Sequence, residues 1–287
     1  GAAALLAVSL LLGAVLTPGE GERSPPPPVV VPDAAPVVPA PEVRVPVVPA
    51  PDVPAPERVP ARAYPPAGPE HALAARPSLP DLRVLEPSGL YLVDETASGG
   101  ARRLKFTTTI WNAGPGPLEV RGHEDPATGE LVVYQTLHTP SGDVVPGDQV
   151  GTFQFDHRHG HLHLAAFARY ELWSLTEDGE LDQVVARNDK VGFCLMDNVV
   201  VDEELVDETR GVYPVDCRGD VQGISPGYGD VYVAQLYEQD LVIDGLPDGR
   251  YALVNVANPD GAVAEASTEN NAAMVYVRLS AGSVWAE

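Results

Sequence analysis

Short segments of alternating apolar and polar residues, each ended by a turn, restrict the possible folds of this chain more than any other feature. RRLKFTTTIWNAG (102–114) and GELVVYQTLHTPSG (129–142) alternate and then break at glycine. HLHLAAFARYELWSL, VYVAQLYEQDLVI, RYALVNVAN and AAMVYVRL behave in the same way. Period-two alternation sends successive side chains to opposite faces of an extended strand, so each segment predicts a strand with one buried face. Turn pairs recur at Asp178-Gly179, Asp248-Gly249 and Asp260-Gly261. No long segment repeats at 3.6 residues, although VDEELVDETR (201–210) reads as a short acidic helix. Many short strands at this spacing suggest an antiparallel sandwich or barrel. The expectation is an all-β, antiparallel sandwich-like domain with long loops and few short helices.

Composition divides the chain. Of its 30 prolines, 17 fall between Pro25 and Pro69, where valine is nearly the only large apolar residue. Such a stretch cannot bury enough surface to offset the entropy of ordering, and reads as a semi-rigid, polyproline-like or disordered linker. Ahead of it, AAALLAVSLLLGAVL (2–16) is too short for a membrane span of about 20 residues and suits the apolar region of a secretory signal. The expected division is a signal peptide or N-terminal anchor over 1–18, a Pro-rich linker over 19–78 and a folded functional domain over 79–287. The expected location is outside the cytoplasm: extracellular, periplasmic or on the cell surface. Any membrane association would run through the N-terminal segment.

The formal net charge is −23, and residues 79–287 hold 34 acidic against 13 basic side chains. A surface of that sign repels phosphate backbones and argues against a nucleic-acid partner. It suits cationic substrates, which a negative field steers inward, although charge alone favours solubility or salt adaptation as its reason. The two cysteines, Cys194 and Cys217, form an even pair, which in an exported chain predicts one disulfide.

Four of the seven histidines lie within seven residues, as His157, His159, His161 and His163 in FDHRHGHLHL. Alternate positions share one strand face, so the imidazoles can converge on an ion. A regular strand would leave the outer two of three ligands about 13 Å apart at Cα. Gly160 permits a bend that closes the gap. Neutral imidazoles suit Cu(II), Zn or Ni, and no thiolate joins the cluster.

The flanking residues carry a resemblance. H-x-H-x-H-x-x-x-F-x-x-Y-[DE]-L, here His159 to Leu172, is similar to the copper-binding segment of the lysyl oxidase family. Lys190-Val-Gly-Phe-Cys-Leu-Met-Asp197 resembles that family's K-x-x-F-C-L-x-D. Cys217-x4-Gln222-Gly-Ile-Ser-Pro-Gly227, then Asp230-Val-Tyr232, resembles its C-x4-Q-G-[LI]-S-P-G followed by D-x-Y. Glu269-Asn270-Asn271 is similar to its closing strand entry.

The resemblance implies Cu(II) held by His159, His161 and His163, and a lysine tyrosylquinone made from Lys190 and Tyr232, with His157 left over. It further implies oxidative deamination of a cationic primary amine, protein lysine included, by O₂, to an aldehyde with ammonia and hydrogen peroxide. Only Lys105 and Lys190 are lysines, against 16 arginines, and a guanidinium cannot replace an amine nucleophile. Asp156 and Asp230 are the candidate general bases, or carboxylates that fix imidazole tautomers. The chain departs from the animal pattern at Arg158, which stands where cysteine is usual, and at Arg169, where histidine is usual. The alternative reading is a non-catalytic exported copper-binding β-sandwich. A third is a surface-display module that uses neither the histidines nor Lys190.

Overall fold

The computed structural model describes residues 76–209, 213–214 and 217–287, with the Lys190 side chain outside that description. The predicted leader and nearly all of the predicted linker therefore lie outside the described residues. Fourteen strands are assigned among the described residues, with one 3₁₀ turn at Thr96–Ser98 and no α-helix. No helix there is long and apolar enough to cross a membrane.

The strands form two sheets. The smaller has the order β1-β2-β10-β8, built from β1 (Leu82–Asp94), β2 (Arg102–Asn112), β10 (Tyr228–Tyr232) and β8 (Val199–Val200). Here β11 (Asp240–Val242) also pairs with β2, beyond the end of β10. The larger sheet runs β14-β13-β12-β6-β5-β4-β3-β9, and β7 (Leu181–Phe193) also pairs with β6 (His161–Leu175). Its other members are β3 (Leu118–Glu124), β4 (Leu131–His138), β5 (Val144–Asp156), β9 (Val221–Ile224), β12 (Gly249–Ala257), β13 (Ala272–Ser280) and β14 (Ser283–Ala286). Every pairing between these strands is antiparallel, as the alternation predicts.

The inner faces supply one core. Leu104, Phe106 and Ile110 of β2 meet Leu164, Tyr170 and Leu172 of β6 and Leu253 of β12 in a single buried cluster. Phe106 sets its ring edge-on to Tyr170 across the sheets at 4.9 Å, a favoured aromatic geometry. Buried polar groups are tied into this frame. The Asn112 amide accepts from the Asp81 and Gly114 N–H groups and donates to the Gly116 and Ile224 carbonyls. Near the C-terminal end, Asn258 and Asn271 donate to Glu265, and Asn270 donates to Asp81. The closing Asn-Asn pair is thus a tertiary staple that locks the entry to β13 against the start of β1.

Two local expectations change. Residues 201–209 form turns rather than a helix, because Asp202 accepts from the Glu204 N–H and Asp207 from the Thr209 N–H. Aspartates that bond their own backbone two residues on compete with helix. VYVAQLYEQDLVI is broken into β10 and β11. Its middle is held off the sheet by side chains: Ala234 N–H donates to Thr107 Oγ1 at 3.0 Å, and Lys105 Nζ donates to the Leu236 carbonyl at 2.7 Å.

Cys194 and Cys217 are joined by a disulfide, with Cα atoms 5.7 Å apart and a sequence separation of 23. Closing a loop of that size contributes about 3 kcal/mol in the chain-entropy account. Replacing both cysteines with alanine is expected to lower stability by about 2–4 kcal/mol, read as a shift in urea midpoint with unchanged slope.

Candidate metal centre and cleft

The histidines converge because a hairpin turns between them. β5 ends at Asp156, which pairs with His161 at the start of β6. Gly160 has φ +75° and donates its N–H to the Asp156 carbonyl at 2.7 Å, closing the turn. The Asp156 carboxylate accepts from the Arg158 and His159 N–H groups at 2.7 and 3.1 Å. His159 therefore sits in the turn, while His161 and His163 follow at alternate positions of the strand. One ring nitrogen from each of the three lies within 4.8 Å of the others. His161 Nε2 and His163 Nε2 are 2.9 Å apart, and His159 Nδ1 is 3.3 Å from His163 Nε2.

These separations fit a shared ion. Two imidazole nitrogens each about 2.0–2.1 Å from one metal stand about 3 Å apart. Burial, then the neighbouring His161 and His159, lowers the His163 pKa to about 4. Its ring is neutral at physiological pH, as a metal ligand must be. The Asp156 carboxylate lies 3.7 Å from His159 Nδ1 and 3.9 Å from His163 Nδ1. Burial raises the Asp156 pKa, but the two N–H bonds and the imidazoles outweigh it, so the carboxyl falls below its ordinary value. His157 is exposed, packs edge-on against Phe155 and takes no part in the cluster.

Tyr232 ends β10, and its ring lies beside the histidines, 6.5 Å from His163 between centroids. Phe193, the last residue of β7, stacks on it at 4.0 Å. The phenol oxygen accepts the Cys194 N–H at 2.6 Å. Burial, and then the nearby Asp230 carboxyl, push the phenol pKa well above its usual value. The backbone of Lys190 lies on β7, between Asn188 and Val191, both of which line the same cleft as Tyr232. That cleft, about 350 Å³, also has Asp156, His159, His163 and Gly192 in its wall. A Cβ on Gly192 would come within 3.1 Å of the His163 Cβ, so glycine lets the imidazole lie close against β7.

The other motif residues hold this arrangement in place. Gln222 donates to the Leu162 carbonyl, between two of the histidines, and accepts the Leu195 N–H beyond Phe193. Asp197 accepts the Ser225 N–H at 2.8 Å and the Ser225 hydroxyl at 2.6 Å. The segments carrying the histidines, Lys190 and Tyr232 are thereby bolted together. The sequence reading did not assign these roles, because the partners are 27 to 60 residues apart. Arg169 forms an ion pair with Glu171 at 2.8 Å and is not among the residues lining the cleft.

Asp230 is fully buried behind the site. Asn198 donates to its Oδ1 at 3.0 Å, while Oδ2 has no partner. Burial raises its pKa well above the ordinary carboxyl value, with Asp197 adding to the effect. A raised acid contributes stability that is complete below the unfolded value of 3.8 and lost as pH climbs through the folded pKa. At neutral pH the group is therefore a cost to the fold. Asp230→Asn is expected to raise stability at pH 7 by about 1–3 kcal/mol and to flatten its decline between pH 4 and neutrality, followed by thermal denaturation across pH. An unchanged pH profile would contradict this account.

Comparison with known proteins agrees with the site. The lysyl oxidase family model matches residues 132–287, more than half of the chain. Human lysyl oxidase homolog 1 is 28% identical over 132 residues, covering 46% of this chain and 21% of that protein. Human lysyl oxidase homolog 3 is 31% identical over 128 residues, covering 44% and 16%. Rat protein-lysine 6-oxidase is 26% identical over 148 residues, covering 51% and 33%. The chain thus spans a third or less of the length of these relatives. The match takes in the β5–β6 turn, β7 and β10, the elements that assemble the histidine cluster and Tyr232, and the chain belongs to the lysyl oxidase family.

Proposed function

We propose that this chain is an exported copper amine oxidase that deaminates primary amines, protein lysine included, with a lysine tyrosylquinone formed from Lys190 and Tyr232. The observation that carries the reading is three imidazole nitrogens spaced for one ion beside the ring of a buried tyrosine. Histidine donors without thiolate suit Cu(II). The group this site would carry, copper with the quinone, supplies a redox-active carbonyl that takes an electron pair from a primary amine, with O₂ as final oxidant.

The residues of the chain supply the rest. His159, His161 and His163 hold the metal, and the Asp156 carboxylate, 3.7 and 3.9 Å from Nδ1 of His159 and His163, places a negative charge beside them. Ionised Asp156 also gives the cleft a negative charge that draws in an ammonium group. Phe193 and the Cys194 N–H fix the plane and the oxygen of Tyr232, so its ring has one position relative to the histidines. Lys190, on the strand that forms the cleft wall, is the amine for the crosslink.

The experiment is direct. The chain is produced with copper in air and digested, and the peptides are weighed. A covalent peptide joining Lys190 to Tyr232 is expected, along with quinone staining and peroxide release on addition of amine. Bound copper with no crosslink would instead support the non-catalytic copper-binding alternative.

A further inference from the structure

At the cleft mouth is a contact that the oxidation chemistry does not use. Arg158 leaves the β5–β6 turn next to His159, and its guanidinium carbon lies 3.6 Å from the ring centroid of Tyr237. Its Nη1 donates to Glu238 Oε1 at 3.0 Å. Tyr237 and Glu238 belong to the segment that follows Tyr232, and both line the cleft with Asp156, His159, His163 and Tyr232. Glu238 also borders an adjoining cavity of about 320 Å³ that shares Asp156 and His163.

The two sides of this contact are held very differently. The segment is anchored on both flanks. Ala234 bonds to Thr107 and Tyr91, Leu236 to Lys105, and Gln239 to Tyr170 and Thr108. Glu238 itself has φ +61°, a conformation few non-glycine residues adopt, so the framework around it sets its backbone. Among the described residues the Arg158 side chain is held by Tyr237 and Glu238 alone, and the side chains of Arg158 and Glu238 are 55% and 66% exposed. An ion pair that exposed contributes little and is readily exchanged.

An aromatic face next to a carboxylate is a receptor for an organic cation. Here it holds a cation that belongs to the chain and is cheaply released. We infer that Tyr237 and Glu238 form a cation subsite at the cleft mouth, filled by Arg158 at rest and taken over by a second cationic group of the substrate. This deepens the amine oxidase reading of the same cleft and specifies dicationic substrates. Either a small diamine or a lysine beside another basic side chain has that chemistry.

Isothermal titration of the copper-loaded full chain carrying Tyr232→Phe, in which no amine can be consumed, tests the subsite. One arm compares 1,5-diaminopentane with pentylamine, and the other a Lys-Arg peptide with a Lys-Ala peptide. A preference of about fivefold for the dication is expected. It should fall to near parity in Glu238→Gln and in Tyr237→Leu, and widen by about fivefold in Arg158→Ala, which removes the internal competitor. The arm with the larger preference identifies the source of the second cation. Equal binding of dication and monocation in both arms would overturn the inference, as would a preference unchanged by all three substitutions. Loss of affinity for both ligands alike in Arg158→Ala would overturn it too, since that is the result of a merely structural clasp. The oxidase reading stands or falls separately, on peroxide release from pentylamine by the chain with Tyr232 intact.

Discussion

Tyr232→Phe is expected to abolish amine-dependent peroxide release, a loss of about a thousandfold or more, while leaving copper bound. The phenol oxygen is needed to make a quinone, and phenylalanine has none. Copper should stay because His159, His161 and His163 supply three clustered nitrogens that the substitution leaves in place. The structural cost is small and specific. The substitution removes one buried hydrogen bond, from the Cys194 N–H, and leaves the ring stacked on Phe193. A bond of that kind contributes about 1 kcal/mol, with a somewhat larger penalty for the unpaired N–H. The variant should therefore unfold at slightly lower urea, bind copper stoichiometrically and give no Lys190–Tyr232 peptide. Wild-type peroxide release from Tyr232→Phe would refute the assigned cofactor even if the metal site proved correct.

His163→Ala carries the second large effect. His163 is the most buried of the three imidazoles and the one within 3.3 Å of both others. Its removal takes away the central donor and opens a space against Gly192. Substitutions of groups that merely support a ligand already cost 10–100-fold in metal affinity, so loss of this ligand should cost more than about a hundredfold. Competition with a chelator of known affinity measures it. His157→Ala is the matched control, with the same residue type two positions before the cluster. His157 faces solvent and packs on Phe155, so affinity should not change. Equal losses in the two variants would show that copper is held by the histidine-rich segment as an unstructured chelator.

Much of this protein was legible in the residues. Alternation identified most of the principal strands, because a sheet with one buried face imposes that pattern directly on the chain. The histidine cluster was legible for a related reason. All three imidazoles lie within five residues, so local geometry and one glycine at φ +75° suffice to bring them together. Local pattern misled in two ways: at 201–209 aspartates bonded their own backbone, and in one predicted strand distant side chains intervened. VYVAQLYEQDLVI alternates like one strand, yet Lys105, Thr107 and Tyr91 capture its middle backbone and turn it into the wall of the cleft.

Taken alone, then, the sequence determined the fold class, the convergence of His159, His161 and His163, and the family, since each rests on contiguous residues or short motifs. Only the tertiary structure decided what surrounds those histidines. Tyr232 comes beside them from a strand of the other sheet, and Gln222 and Asp197 bolt the carrying segments together. Arg158 meets Tyr237 and Glu238 across a gap of about 80 residues in the chain. No periodicity records such meetings. They follow from the register of two antiparallel sheets, which is set by the burial of whole faces rather than by any residue at the site.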